Sequence, residues 1–364
     1  MTSGSRQAYL DRVRGLAVLI MIEAHVLDSW TRVPDRTTNA FGWAMVLGGF
    51  GAPLFLFLAG VSVVLSAESK YRKTGDFDAS WSAVQKRGWQ VFGLAFLFRL
   101  QSYILTFGYS GMSLLKVDIL NVMGPAIAGA AIAGRFVKTK SHRAVLFAAI
   151  AAALSMATPI VRTTWLLDWL PDPVEWYFRP TQGRMSNFTL FPWAGFLFAG
   201  AAVGEAIDGL RTADRALGTQ LMLGAAAILI AFLGYRASFL PSIYSRSEFW
   251  TSSPTFFFLR VGLIALLLPL AFLWERAPWR GRVGGWSPIE ELGKASLFVY
   301  WVHVEMVYGF ISRPLRRSLS FEAAILVDLL FSAFLLGLVL LRNWLVSPKK
   351  APPVAATGST LASI

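Results

Sequence analysis

Apolar residues in this chain come in long runs separated by short polar and basic stretches, and the alternation of half-buried strands is absent. The runs lie near residues 13–30, 42–66, 88–107, 116–134, 143–159, 189–207, 217–235, 255–275, 294–312 and 321–344. Each approaches the roughly 20 residues a helix needs to cross the hydrocarbon core. Backbone groups in lipid must be satisfied within a helix or a closed barrel, and the missing alternation disfavours a barrel. The pattern therefore predicts an all-α polytopic membrane protein, a bundle of about ten transmembrane helices. Residues 1–347 are read as one transmembrane unit. Residues 348–364, rich in Ala, Pro, Ser and Thr, are read as a disordered cytoplasmic tail.

Composition supports this picture and charge orients it. Of 364 residues, 55% are hydrophobic and 15% charged, where a soluble domain carries about a quarter charged. With the N-terminus inside, 21 of the Lys and Arg residues fall in inner segments, 10 outside and 3 within spans. That bias predicts two cytoplasmic termini. Glu23, His25 and Asp28 interrupt the first run, which is read as a retained helix and not a cleaved leader. The net charge of +13 is scattered between apolar runs, so lipid head groups are the expected partners and nucleic acid is not. Cysteine is absent and histidine is limited to His25, His142 and His303, so neither a thiol nucleophile nor a metal site is expected. The outer stretch 160–188 carries Trp165, Trp169, Trp176, Tyr177 and Phe178, which suits an interfacial helix or a lid. Phe55-Leu56-Phe57-Leu58-Ala59-Gly60 is echoed by Phe196-Leu197-Phe198-Ala199-Gly200, too slight a likeness to establish the inverted repeat of many transporters.

Ionisable groups inside membrane spans are costly, which makes them the informative residues. In the first run, Asp11, Arg14, Met21, His25 and Asp28 share one helical stripe, with Glu23 turned roughly the other way. Arg14 and His25 are separated by about 16 Å along the axis, which puts Arg14 near the cytoplasmic face and His25 in the outer half. A carboxylate at i+3, Asp28, would orient the His25 imidazole and make it more basic. The ninth run places Ser296, Tyr300 and His303 on one face. Each histidine also admits a plainer reading, a polar side chain bonded to a neighbouring helix. Asp118 and Asn121 form an i, i+3 pair at the outer end of the fourth run, suited to substrate binding or to capping the helix. Arg99 interrupts the third run and Arg260 the eighth, the latter close enough to the interface to snorkel.

These residues carry a resemblance. Leu10-Asp11-Arg12-Val13-Arg14-Gly15-Leu16-Ala17, followed by His25 eleven residues after Arg14, resembles the opening helix of transmembrane acyltransferases. The run from Phe55 to Gly60 and Ser296-Leu297-Phe298-Val299-Tyr300-Trp301-Val302-His303 are similar to later segments of the same enzymes. The closest likeness is to the heparan-alpha-glucosaminide N-acetyltransferase catalytic family and its bacterial relatives. It implies a single membrane domain in a bacterial cytoplasmic (inner) membrane. Acetyl-CoA, or another acyl-CoA, would reach the protein from the cytoplasm and serve as co-substrate. The acyl group would pass to a sugar or glycan-like hydroxyl or amine acceptor reached from outside. Carried over, His25 is the expected catalytic histidine, with Asp11 and Arg14 beside the cytoplasmic mouth, where CoA would bind. The intramembrane positions of the other polar residues add candidates: Asp28 and His303 beside His25, as base or acyl carrier, Arg99 on the CoA side, and Asp118, Asn121 and Tyr300 on the acceptor side. One departure is visible: sugar O-acylating relatives carry Arg-x-x-Arg near the third run, and here Lys86-Arg87 is followed by Gly88-Trp89-Gln90.

The alternative from a different class is a proton-coupled transporter of a small solute, since buried His, Asp and Arg also build proton relays. The topology separates from either reading and is tested on its own. Reporter fusions after Arg87, Arg143 and Arg282 are expected to read cytoplasmic, and one within 165–180 external. A reversed reading at two or more of these sites overturns the orientation.

Overall fold

A computed structural model describes residues 8–105, 111–180, 185–208, 213–277 and 286–346. The predicted tail, 348–364, lies outside the described residues. Thirteen α-helices are present among them: α1 Ala8–Trp30, α2 Asn39–Gly48, α3 Gly51–Thr74, α4 Phe77–Leu105, α5 Ile119–Phe136, α6 Lys140–Thr163, α7 Asp172–Glu175, α8 Leu190–Asp208, α9 Ala213–Ala237, α10 Pro254–Arg276, α11 Pro288–Lys294, α12 Ser296–Tyr308 and α13 Phe321–Val346. No strand occurs among the described residues, and the chain is an all-α polytopic membrane protein.

Every predicted run coincides with a helix, with three differences. The run 42–66 is two helices, because Gly48, Gly49 and Gly51 flank a tight turn: Gly49 N–H donates to Met45 at 3.0 Å and Phe50 N–H to Leu47 at 2.9 Å. The helix expected from residue 88 begins eleven residues earlier, at Phe77, so Lys86 and Arg87 stand inside α4 instead of in a loop. The ninth predicted run becomes α12, which spans only 13 residues, with the short α11 turned ahead of it. Seven segments among the described residues are apolar and long enough to cross a membrane, the α2–α3 pair counting as one. The other three predicted spans, α1, α4 and α12, fall short. The first carries Asp11, Arg12, Arg14, Glu23 and Asp28, the second is diluted by Gln90, Arg99 and Gln101, and the third is too short.

The long helix richest in ionisable side chains is the central one. α1 packs against α2, α3, α10, α11, α12 and α13, and Ala17, Val18, Ile22 and Val26 are fully buried. Around it α3 pairs with α8, α4 with α5, α6 with α8 and α9 with α10. In lipid there is no hydrophobic drive between helices, so close backbone approach over small residues takes its place. The two echoing runs meet in this way. A Cβ on Gly60 would overlap the Leu197 backbone, and a Cβ on Gly200 the Phe57 backbone, with Gly204 against Val61 one turn on. Gly15 and Gly293 make the same kind of contact between α1 and α11. At one end of the α3–α8 pair, Arg143 is 1% exposed and bridges Glu205 and Glu68, each at 2.6 Å. Asp208 beside it binds Arg72 at 2.7 Å and Lys140 at 2.5 Å. Residues such as Met222, Leu229 and Leu233 on α9, and Leu326, Leu329 and Leu330 on α13, remain exposed, as lipid-facing positions should.

Gly60→Leu and Gly200→Leu should each force α3 and α8 apart. Overpacking a closed contact costs typically about 1–3 kcal/mol and sometimes more, so thermal unfolding in detergent should show a clear loss of stability for both. Unchanged unfolding temperatures would contradict the close pairing.

Candidate active site

α1 and α12 bring two of the three histidines together. His25 Nδ1 lies 3.0 Å from His303 Nε2, with the ring planes 15° apart. The other nitrogen of His303, Nδ1, lies 2.8 Å from the carbonyl oxygen of Val299, one turn back on its own helix. A carbonyl only accepts, so His303 Nδ1 must carry the proton. With both rings neutral, His303 Nε2 is then the acceptor and His25 Nδ1 the donor. This leaves Nε2 of His25 unprotonated, a lone pair on a ring whose orientation is fixed by a fully buried partner. Tyr300, 2% exposed, sets its edge on His303 at 5.8 Å, and Tyr308 packs against His25 at 5.4 Å.

The expected pairing of His25 with Asp28 is replaced. Asp28 shares the stripe, but its carboxylate accepts from Arg36 at 2.7 Å and is 47% exposed. Arg36 also donates to the Asp28 carbonyl. A guanidinium makes the stronger, charge-assisted bond, and the near nitrogen of His25 is already taken by His303. Asp118 and Asn121 form a capping box for α5: Asp118 accepts from Ile119 N–H at 2.8 Å, and Asn121 Oδ1 accepts from Asp118 N–H at 3.0 Å. They also bind other parts of the chain. Asp118 binds Arg99 at 2.5 Å, and Asn121 donates to Tyr177 of the 160–188 stretch at 3.4 Å. Burial pushes the Tyr177 phenol above its ordinary pKa, and the Asn121 bond opposes that rise. Arg99 therefore stands with Asp118 rather than near Arg14. Beside it Ser102 donates to Glu305 of α12 at 2.6 Å, and Trp301 to Gln101 at 2.8 Å.

A cavity of about 430 Å³ opens between α1, α3, α4, α5 and α12. Arg14, Lys70 and Arg87 supply three cations to its wall, Ser62, Ser66, Ser80 and Ser296 supply hydroxyls, and Phe55, Val91, Ile127 and Leu297 supply apolar surface. Arg14 is positioned by Asp11 at 2.7 Å and Ser62 at 2.9 Å. Asp11 itself is 2% exposed and acts on the cavity through Arg14. Ser296 opens α12, and the seven residues from it to His303 cover about 10 Å of helix axis. Arg87 and Arg99, twelve residues apart on α4, are separated by about 18 Å, so the cavity and the Arg99 pair occupy different levels of the bundle. Cations and hydroxyls beside an apolar wall suit a polyanionic head joined to a flexible apolar arm.

The sequence reading named Arg14 at this cavity but passed over Lys70 and Arg87 as loop charges. A signal was present: Ser62, Ser66 and Lys70 repeat at four-residue spacing, a polar stripe on one face of an otherwise apolar helix. Glu305, Ser102 and Tyr308 were also passed over.

Among known protein families, residues 6–245 match the one described as Heparan-alpha-glucosaminide N-acetyltransferase, catalytic. The match covers more than half of the 364 residues. The chain belongs to this family. No curated protein matches it. Membership in the heparan-alpha-glucosaminide N-acetyltransferase family makes this a membrane acetyltransferase by class and favours that reading over the transporter. The matched stretch of the family contains α1 with His25 and the α3, α4 and α5 walls of the cavity. It ends before α10, so Tyr300 and His303 lie beyond it.

With only three histidines in the chain, NMR of isotope-labelled histidine should resolve the paired rings. His25 and His303 are each expected to be neutral with the proton on Nδ1. A proton on Nε2 of His25 would contradict the hydrogen-bond chain ending at Val299.

Proposed function

We propose that the protein moves an acetyl group from acetyl-CoA to a sugar-like amine or hydroxyl, with His25 as general base. The cavity bounded by Arg14, Lys70 and Arg87 is the observation that carries this reading. Its cations match the CoA phosphates, and its apolar wall runs toward the start of α12, about 10 Å below His303. The phosphate head would stay at the basic end, held from the cytoplasm, while the arm extends along α12 toward the histidine pair. The acceptor would approach from the opposite side, between Asp118, Asn121 and the outer aromatic segment, with Tyr300, Arg99 and Glu305 around it.

In the reaction, the acceptor nitrogen or oxygen attacks the thioester carbonyl carbon while Nε2 of His25 takes its proton. The carbon–sulfur bond breaks, CoA leaves as a thiolate, and the His25 imidazolium returns the proton to sulfur. His303 holds the donor tautomer of His25 and gains charge stabilisation for it through the same hydrogen bond. The Nδ1 proton of His303 is committed to Val299, so the route back to the leaving group is the short one.

Purified protein incubated with radiolabelled acetyl-CoA and a panel of amino and neutral sugars should release CoA only when an acceptor is present. No acceptor-dependent release from any of them would contradict the proposal. His25→Ala should lower turnover by a factor of about 10² to 10⁴, the usual contribution of a general base, while acetyl-CoA still binds. Near-normal turnover would remove His25 from the chemistry. Arg87→Gln should raise KM for acetyl-CoA about tenfold or more, the worth of a charged hydrogen bond, and leave KM for the acceptor little changed. Equal effects on both would take Arg87 out of the donor site.

A further inference from the structure

Acyl transfer puts negative charge on the thioester oxygen as the acceptor attacks, and a hydrogen-bond donor aimed at that oxygen supplies much of the rate. The base His25 does not serve that oxygen. Most donors around the histidine pair are already committed. The Ser29 hydroxyl and Trp30 Nε1 donate to the Val307 carbonyl at 3.4 and 3.3 Å, and the Ser312 hydroxyl donates to the same oxygen at 2.6 Å. Ser102 is given to Glu305 and Trp301 to Gln101. Arg36 is held by Asp28 and Arg99 by Asp118. His303 gives its N–H to Val299, and His25 gives its own to His303.

Two phenols remain. Neither the Tyr300 nor the Tyr308 hydroxyl has a hydrogen-bond partner among the described residues. They differ in what they touch. Tyr300 is 2% exposed and sets its edge on His303, whose two nitrogens are both bonded. Tyr308 is only partly buried and packs against His25, with ring centroids 5.4 Å apart and planes at 65°. It stands five residues past His303, about 7.5 Å along the axis. Side chains on a helix lean back toward its N-terminus, which returns the ring to the level of His25. The charges that act on its phenol are those of Asp28, Asp118 and Arg36, and each carboxylate already holds an arginine. A hydroxyl left without a partner inside a bundle costs free energy. One that adjoins the base gains its partner when substrate arrives.

We propose that Tyr308 is a further catalytic residue, the hydrogen-bond donor to the thioester oxygen. The inference rests on the reading of His25 as the base. As the acceptor attacks the carbonyl carbon, the π pair of the C=O bond moves onto oxygen, and the Tyr308 O–H donates to it. The proton stays on the phenol. When the pair returns to re-form the carbonyl, the carbon–sulfur bond breaks and CoA leaves as the thiolate.

Tyr308→Phe keeps the ring against His25 and removes only the O–H. Loss of one such donor costs a factor of about 10² to 10³ in kcat, and the full-length variant should show that loss with KM for acetyl-CoA and for the acceptor little changed. Because the O–H bonds nothing in the fold, the unfolding temperature in detergent should stay the same. NMR of labelled histidine in the variant should still find the His25 proton on Nδ1. A near-parental kcat would overturn the assignment. So would a loss confined to KM for the acceptor, which makes Tyr308 a binding residue, or a changed His25 tautomer, which makes it a packing one. His25→Ala, assayed in parallel, separates this inference from the reading beneath it. Normal turnover there removes the base, whereas an inactive His25→Ala beside an active Tyr308→Phe removes the oxygen donor alone.

Discussion

Hydrocarbon offers no hydrogen-bond partner, so each polar group carried into the bundle must find one on another helix or leave several kcal/mol unpaid. α1 carries more ionisable groups than any other long helix, and their partners determine where its neighbours stand. Arg14 is shared between Asp11 and Ser62 of α3. Arg12 reaches Glu275 of α10 at 2.6 Å and Glu290 of α11 at 3.0 Å. His25 takes His303 of α12, and Asp28 takes Arg36 just beyond the helix. A few buried atoms of the helix stay unsatisfied, among them one carboxylate oxygen of Glu23 and Nε of Arg12. The small-residue contacts of Gly15 and Gly293 then let α11 approach closely enough for these bonds to form.

The same requirement bears on chemistry. His303, fully buried on a short helix, satisfies one nitrogen at its own backbone and offers the other to His25. A packing constraint thereby decides which nitrogen of His25 keeps its lone pair. In the proposed reaction that lone pair is the base, and no further protein group is needed to pass the proton on. The cavity with Arg14, Lys70 and Arg87 and the Arg99–Asp118 pair sit at different levels along α4, a separation that in the proposed reaction would keep a polyanionic donor head apart from the acceptor.

The fold was largely legible because its signal is additive: twenty apolar residues in a row speak for themselves, and each predicted run became a helix. Where the reading failed, the cause was local. Hydropathy cut α4 at Lys86-Arg87, although the helix continues past the charges to Phe77, and it fused α2 with α3 because Gly49 and Phe50 are apolar whether or not they turn. In the site, helical periodicity put Asp11 beside Arg14 and placed His25 on the stripe where it is found. The same periodicity assigned Asp28 to His25, since a one-dimensional pattern cannot register that Arg36 folds back and competes. The histidine pair itself joins positions 278 residues apart. Each ring was visible as a buried polar group, but their meeting depends on the packing of α12 against α1.

The central claim is that donor and acceptor reach one histidine pair from opposite faces of the membrane. Proteoliposomes with acceptor sugar sealed inside and radiolabelled acetyl-CoA outside test it, because neither compound crosses the bilayer unaided. The account predicts that label accumulates on the enclosed acceptor, in that fraction of molecules whose basic cavity faces outward, and that His25→Ala abolishes the accumulation. Label transferred only when donor and acceptor share the same compartment would contradict it.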